Sequence, residues 1–313
     1  MRIVFMGTPY FAECSLRALI EAGHDIALVL TQPDRRGNRN KVTVSQVKEL
    51  ALEHGLEIAQ PERLRKDPEI AGQIAALNPD IIVVAAYGQI LPQEILDIPK
   101  HCCVNVHASL LPALRGASPM QAAIIEGLDE SGVTIMRMDA GLDTGDMISK
   151  VSCDISGKDI IEVTEILAQA GAKLLVETLP HIEDGTAVYE KQDDSLATYA
   201  KMIKKTDGFT DFNEDAEVIE RKIRAYIDWP TCYSYMGSNM VKFYRAEANA
   251  DVNPDGTVGS ICEIAKDYYA MKCAKGIIKI FEQQLAGKKR MSAADFMRGQ
   301  RLSIGDVFRK EED

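Results

Sequence analysis

The chain has 313 residues, 46% of them apolar and 27% charged, with a formal net charge of −11 and seven cysteines. That length exceeds one ordinary hydrophobic core and predicts two domains. No apolar run approaches the ~20 residues needed to cross a bilayer, so no membrane partner is expected. The opening MRIVFMGTPYF is broken too early by Gly and Pro for a signal peptide. An odd number of cysteines with no CxxC pair argues against a disulfide framework or a zinc site. Buried thiols in a reducing compartment are expected instead, and a cytoplasmic location with them. The charge is unevenly spread: residues 1–200 hold 17 Lys/Arg against 29 Asp/Glu, whereas 201–310 hold 19 against 15. Such asymmetry can mark an interaction domain for a polyanion, and a mixed solvated surface produces it too.

In chain order, RIVFMG (2–7), DIALVLT (25–31), DIIVVAAY (80–87) and CVNVHA (103–108) are β-branched runs of strand length. Helical patterns lie between them at 11–23, 45–55 and 69–78, with Gly23, Gly55 and Asn78 where C-terminal caps belong. This alternation predicts βαβ units and a parallel, Rossmann-like α/β sheet covered on both faces. Two further strands, 133–140 and 147–155, flank a Gly/Asp loop, and a long helix over 158–183 closes the unit. The polar run over 190–206 reads as a linker between a domain of residues 1–189 and one of residues 207–313. The latter opens with a basic helix (216–226), followed by short strands punctuated by Gly, Asn and Asp. That texture predicts a small β-barrel.

Three stretches can carry chemistry. FMGTPYF places a glycine after the first strand but lacks GxGxxG, so a nicotinamide cofactor is not expected. In CCVNVHASLLPALRGASP (102–119), Asn105 and His107 fall two positions apart in a strand. Period two then puts both on one face, roughly 6–7 Å apart, at the carboxyl end where open α/β sheets bind ligands. A buried histidine satisfied by a neighbour is the plainer explanation, but it leaves the paired amide unaccounted for. In MDAGLDTGDMI (138–148), Asp143 or Asp146 can orient an imidazole and receive a proton, although Asp/Gly clusters also simply make turns. The carboxylate spacing is not that of a calcium loop, and no GxSxG elbow is present.

In this order and spacing, VNVHASLLP, LRGASP and VTIMRMDAGLDTGD resemble the 10-formyltetrahydrofolate-dependent formyltransferases. MGTPYFA, TQPDR and AAYGQILP resemble the branch that formylates initiator methionyl-tRNA. YAKMI, IRAYIDWP and MRGQRLSIGDVF extend the likeness through the second half. The resemblance implies a formyltransferase domain followed by an OB-like, tRNA-binding domain. It implies 10-formyltetrahydrofolate as co-substrate, no metal, and initiator methionyl-tRNA as acceptor; we expect a monomer. It implies a triad of Asn105, His107 and Asp143, in which Asn105 and His107 stabilise the developing oxyanion and Asp143 holds the imidazole. Ser109, Leu110, Leu111 and Pro112 would line the folate pocket. The loop Tyr87, Gly88, Gln89, Ile90 and Leu91 would supply backbone groups to the pterin edge.

The segment TQPDRRGNRNKVTVSQVK (31–48) departs from the family pattern: it lacks the inner prolines, is one residue shorter, and has Gln46 in place of a later proline. Arg39 aligns with the loop arginine that enters the acceptor end of tRNA. Arg35, Arg36, Arg39 and Lys41 form a dense positive tip, expected to be mobile without tRNA. Lys204, Lys205, Arg221, Lys222, Arg224 and some of Lys288, Lys289 and Arg290 would add a positive side in the second half. Rival acceptors within the same chemistry are glycinamide ribonucleotide, which needs no extra hundred C-terminal residues, and an amino sugar. A catalytically silent folate- or nucleotide-binding module is the rival of another class.

Overall fold

The computed structural model describes residues 1–36 and 42–309. The chain forms two units: Met1–Pro119, Glu130–Asp154 and Thr164–Ala200 make the first, and Met120–Asp129, Ile155–Val163 and Lys201–Asp313 the second.

The first unit is built on a seven-stranded sheet in the order Met147–Asp154, Glu130–Arg137, Cys102–His107, Ile81–Ala85, Arg2–Gly7, Asp25–Leu30, Ile58–Ala59. The five strands from Cys102–His107 onward pair in parallel, and the first two add antiparallel. Helices Tyr10–Glu21, Gln46–Glu53 and Pro68–Ala76 lie where the 3.6-residue pattern predicts them, and Gly23, Gly55 and Asn78 behind them have φ of 76°, 63° and 47°. One face of the sheet buries Val4, Met6, Leu28, Leu30, Ile82, Val84 and Cys103 together. On the other face the long helix Ile160–Glu183 comes so close at Gly171 that a Cβ there would meet Val106 and Val133 at 3.1 Å.

The basic segment begins and ends in a two-stranded hairpin, Arg35–Arg36 against Val42–Thr43. Arg39 and Lys41 lie outside the described residues. At the hairpin's root, Lys48 Nζ donates to Asp34 at 2.5 Å and to Gln60 at 2.7 Å, holding the Asp34 carboxyl below its usual range.

The segment expected as a linker differs. Residues 190–200 are hydrogen-bonded into the first unit: Glu190 exchanges backbone bonds with Met147, and Tyr199–Ala200 pairs in parallel with Arg115–Gly116. Ala200 passes so close that a Cβ on Gly116, whose φ is 113°, would sit 2.6 Å from the Ala200 carbonyl oxygen. Only glycine fits there.

The second unit holds an antiparallel sheet in the order Ile261–Ile264, Tyr269–Lys272, Ile277–Leu285, Asn239–Asn249, Cys232–Met236, Phe308–Arg309, with Met291–Ser292 pairing on Ile277–Leu285. Its two ends meet: Ile261 N–H donates to Asp306 O and Phe308 N–H to Gly259 O, both at 2.8 Å. The sheet thereby curls into the expected small barrel. Phe243, Tyr269, Phe296 and Phe308 fill it, with ring centroids 5.7–6.1 Å apart.

Candidate active site

Strand Cys102–His107 is the last parallel strand before the sheet turns antiparallel, and its alternation decides what faces the site. Val104 and Val106 are buried. Asn105 and His107 fall on the face of Cys103, the half-buried amide followed by a ring that is 5% exposed. His107 Nε2 lies 3.0 Å from the Leu114 carbonyl oxygen. A carbonyl only accepts, so Nε2 carries the proton and Nδ1 is the ring edge left for chemistry.

Asp143 comes to that edge. Its Oδ2 is 3.7 Å from His107 Nδ1 and accepts the Gly116 N–H at 2.8 Å, while its Oδ1 accepts from Asn105 Nδ2 at 3.4 Å. The three side chains therefore converge, and Asp143, not Asp146, faces the imidazole. Asp143 itself has φ 54°, a left-handed conformation uncommon for aspartate. The turn tolerates it because Asp139 accepts the Thr144 hydroxyl at 2.8 Å and Gln192 Nε2 donates to the carbonyls of Asp143 and Gly145. At Gly145 a Cβ would lie 1.9 Å from the Arg137 carbonyl oxygen, so the turn is packed tightly against the end of its strand.

The residues expected around the folate are placed differently from one another. Ser109 is buried, its hydroxyl donating to Ala113 O at 2.6 Å, and Leu111 packs with Met136 and Met147. Leu110 and Pro112 are half-buried, and the Leu111–Pro112 peptide is cis. Tyr87 and Leu91 turn into the core, where burial pushes the Tyr87 hydroxyl well above its ordinary pKa. The Gln89 amide is spent on Leu64 N–H and Pro61 O. Gly88 and Ile90 stay open, Ile90 being 60% exposed. Beside the Asp143 turn lies a cleft of about 420 Å³ that none of these residues lines. Its apolar wall is Leu96, Cys103 and Met138, its polar rim Asp97, Arg137 and Asp139. These residues look like ordinary core and turn in the sequence. Burial raises the Cys103 thiol far above its usual range, and the Cys102 thiol at the same cleft is also raised, which leaves both neutral walls and not nucleophiles.

Of the basic residues expected to meet tRNA, the backbones of Arg35 and Arg36 form the hairpin described above. Lys204 and Lys205 are exposed. The helix Ala216–Ala225 spends its charges internally. Arg221 Nε donates to Ile125 O at 2.8 Å, Lys222 Nζ pairs with Glu214 at 2.5 Å, and Arg224 bonds Glu220 and Lys158 O, each at 2.6 Å. The turn Lys288, Lys289 and Arg290 presents exposed positive charge on the barrel, with Arg290 stacked over Tyr244 at 3.5 Å.

An amide and an imidazole at a strand end, with a carboxylate turned toward them beside a cleft, can stabilise an oxyanion and manage an amine's proton. The chain belongs to the formyl transferase family, whose model matches residues 1–179, with the model of the formyl transferase C-terminal domain matching 202–301. Along its whole length it is 46% identical to the methionyl-tRNA formyltransferase of Citrifermentans bemidjiense, covering 98% of that protein. Its fold matches that of the methionyl-tRNA formyltransferase from Clostridium thermocellum (21% identity, TM-score 0.55, 79% of this chain and 93% of that one). It also matches HypX from Aquifex aeolicus in complex with tetrahydrofolic acid (17% identity, TM-score 0.62) over all of this chain, which spans 48% of HypX. No helix among the described residues is long and apolar enough to cross a membrane, and none of their His, Cys, Asp and Glu side chains cluster as a metal site.

Proposed function

We propose that the protein transfers the formyl group of 10-formyltetrahydrofolate to the α-amine of methionine esterified to initiator tRNA. The observation that carries this reading is full-length likeness to a methionyl-tRNA formyltransferase at 46% identity, together with the convergence of Asn105, His107 and Asp143. The folate is assigned to the cleft beside the Asp143 turn, whose Leu96, Cys103 and Met138 wall suits a flat heterocycle and whose polar rim can bond its edges. In the reaction the neutral amine attacks the formyl carbon and negative charge grows on the formyl oxygen. The Asn105 amide donates toward that oxygen. His107, fixed through its Nε2–H on Leu114 O, stabilises that charge from its Nδ1 edge, with Asp143 beside the same edge. Collapse of the intermediate breaks the bond from carbon to folate N10. The proton lost by the amine is carried by Asp143 and delivered to N10, so tetrahydrofolate leaves neutral at that nitrogen.

The exposed turn Lys288–Arg290, Lys204 and Lys205 supply local positive surface for tRNA on an otherwise acidic chain. A single experiment tests the acceptor. Initiator methionyl-tRNA, glycinamide ribonucleotide and a nucleotide-linked amino sugar are offered with the same donor. Formylation of the tRNA alone is expected; preferential formylation of the sugar would overturn the assignment.

A further inference from the structure

The segment after residue 190 touches both loops that support the reacting groups. Thr198 Oγ1 accepts the Leu114 N–H at 2.8 Å and Thr198 O accepts the Arg115 N–H at 2.9 Å. Ala200 O accepts the Ala117 N–H at 3.0 Å. These bonds fix the backbone whose Leu114 carbonyl takes His107 Nε2 and whose Gly116 amide holds Asp143. On the other side of the imidazole–carboxylate pair, Gln192 Nε2 donates to Asp143 O at 2.8 Å and to Gly145 O at 2.7 Å.

The orientation of that amide is not free. Gln192 Oε1 accepts from Arg115 Nε at 3.0 Å, and Arg115 is 1% exposed. A guanidinium only donates, so Oε1 must face it and both amide hydrogens must face the two carbonyls. A flipped amide would set its oxygen against two carbonyl oxygens and its hydrogens against a cation. Asp194 in turn accepts from Arg115 Nη2 at 2.8 Å. Burial would push the guanidinium pKa down, but bonds to Asp194 and Tyr199 hold it up, so the charge that sets the amide is permanent. Asp143 meanwhile sits in a left-handed conformation that a neighbouring structure must impose.

We infer that Gln192 is a positioning residue for formyl transfer, clamping the Asp143–Gly145 turn so that the Asp143 carboxylate stays on the Nδ1 edge of His107. It acts through Asp143 and touches neither substrate. The inference rests on the reading of this site as a formyl-transfer centre.

The test uses the full chain with Gln192→Glu and Gln192→Met. Glutamate keeps the acceptor toward Arg115 and the side-chain length but supplies no donor to the two carbonyls; methionine keeps only the length. Both variants are expected to fold with wild-type circular dichroism. Their kcat for methionyl-tRNA should fall by about 10²-fold, as for a misplaced catalytic group, with KM for both substrates little changed. In ¹⁵N spectra of ring-labelled protein, His107 Nε2 should read as protonated in the wild type, and its Nδ1 resonance should move in both variants as the carboxylate leaves. Unchanged kcat in Gln192→Glu, a loss of kcat with an unmoved Nδ1 resonance, or failure of both variants to fold would each overturn the inference. If the wild type formylates no amine, the functional reading fails, while the ring spectrum still decides whether Gln192 positions Asp143.

Discussion

Replacing Thr134 by valine exchanges one hydroxyl for a methyl at almost constant volume, and the structure says what that hydroxyl holds. Thr134 is fully buried on the strand beside His107, directly opposite it in register. Its Oγ1 accepts the Leu111 N–H at 3.1 Å and donates to Ser109 O at 2.7 Å, so one atom fastens both ends of the turn that leaves strand Cys102–His107. Valine orphans a buried donor and a buried acceptor, each costing about 1–3 kcal/mol, or about 2–6 kcal/mol together. Thr134→Ser keeps both bonds and removes one methyl, a loss of about 1 kcal/mol. Valine should therefore be the more damaging change by about 1–5 kcal/mol, although it is the more hydrophobic residue in a buried place. Urea unfolding followed by far-UV circular dichroism measures this. The one tryptophan, Trp229, belongs to the second unit and would report on the wrong region. Amide exchange of residues 102–112 localises the effect. A Thr134→Val protein as stable as Thr134→Ser would refute the argument, since the turn would then not depend on the hydroxyl.

Three other outcomes follow from the site. His107→Ala should lower kcat by about 10²–10³-fold, as for loss of one oxyanion donor, while donor affinity in equilibrium titration stays near wild type; near-normal turnover would remove the histidine from the mechanism. Ala140→Trp should fill the cleft wall and raise KM for the formyl donor much more than it changes KM for the tRNA, and equal effects on both would move the folate elsewhere. Lys288→Glu with Lys289→Glu should weaken tRNA binding and reduce the slope of log K against log salt by about 2, one unit for each phosphate no longer neutralised. An unchanged slope would mean that this turn does not meet the phosphates.

The parallel strands were legible because β-branched runs of the right length alternate with capped amphipathic helices, and Asn105 and His107 were legible because they break such a run two positions apart. Asp143 was not separable from Asp146 by composition; the family likeness chose it, and what places it physically is a left-handed φ and bonds from residues 116 and 192. The polar stretch 190–200 reads as a linker because its partners are distant in sequence: Thr198 meets Leu114 and Gln192 meets Asp143. A two-residue strand has no periodicity to detect. The basic helix hides its partners for a related reason. Arg221, Lys222 and Arg224 look free in sequence, but three of their acceptors, Ile125 O, Lys158 O and Glu214, lie outside that helix. The cleft walls Leu96, Cys103 and Met138 carry no signal apart from hydrophobicity.

The second unit's discontinuity bears on how the protein can be cut and recombined. Its barrel follows Lys201, yet residues 120–129 and 155–163 belong to the same unit, and Arg221 and Arg224 reach back to the carbonyls of Ile125 and Lys158. A protease nick at the 200/201 boundary therefore does not release a detachable module; the severed barrel stays bonded to chain that precedes it. Truncation there leaves two carbonyls without their arginines. A chimera that exchanges the C-terminal part with a relative must carry the two inner segments along, or replace the arginines and the carbonyl-bearing turns as a set. The second unit in this architecture is consequently inherited through three pieces of sequence, not by grafting one tail.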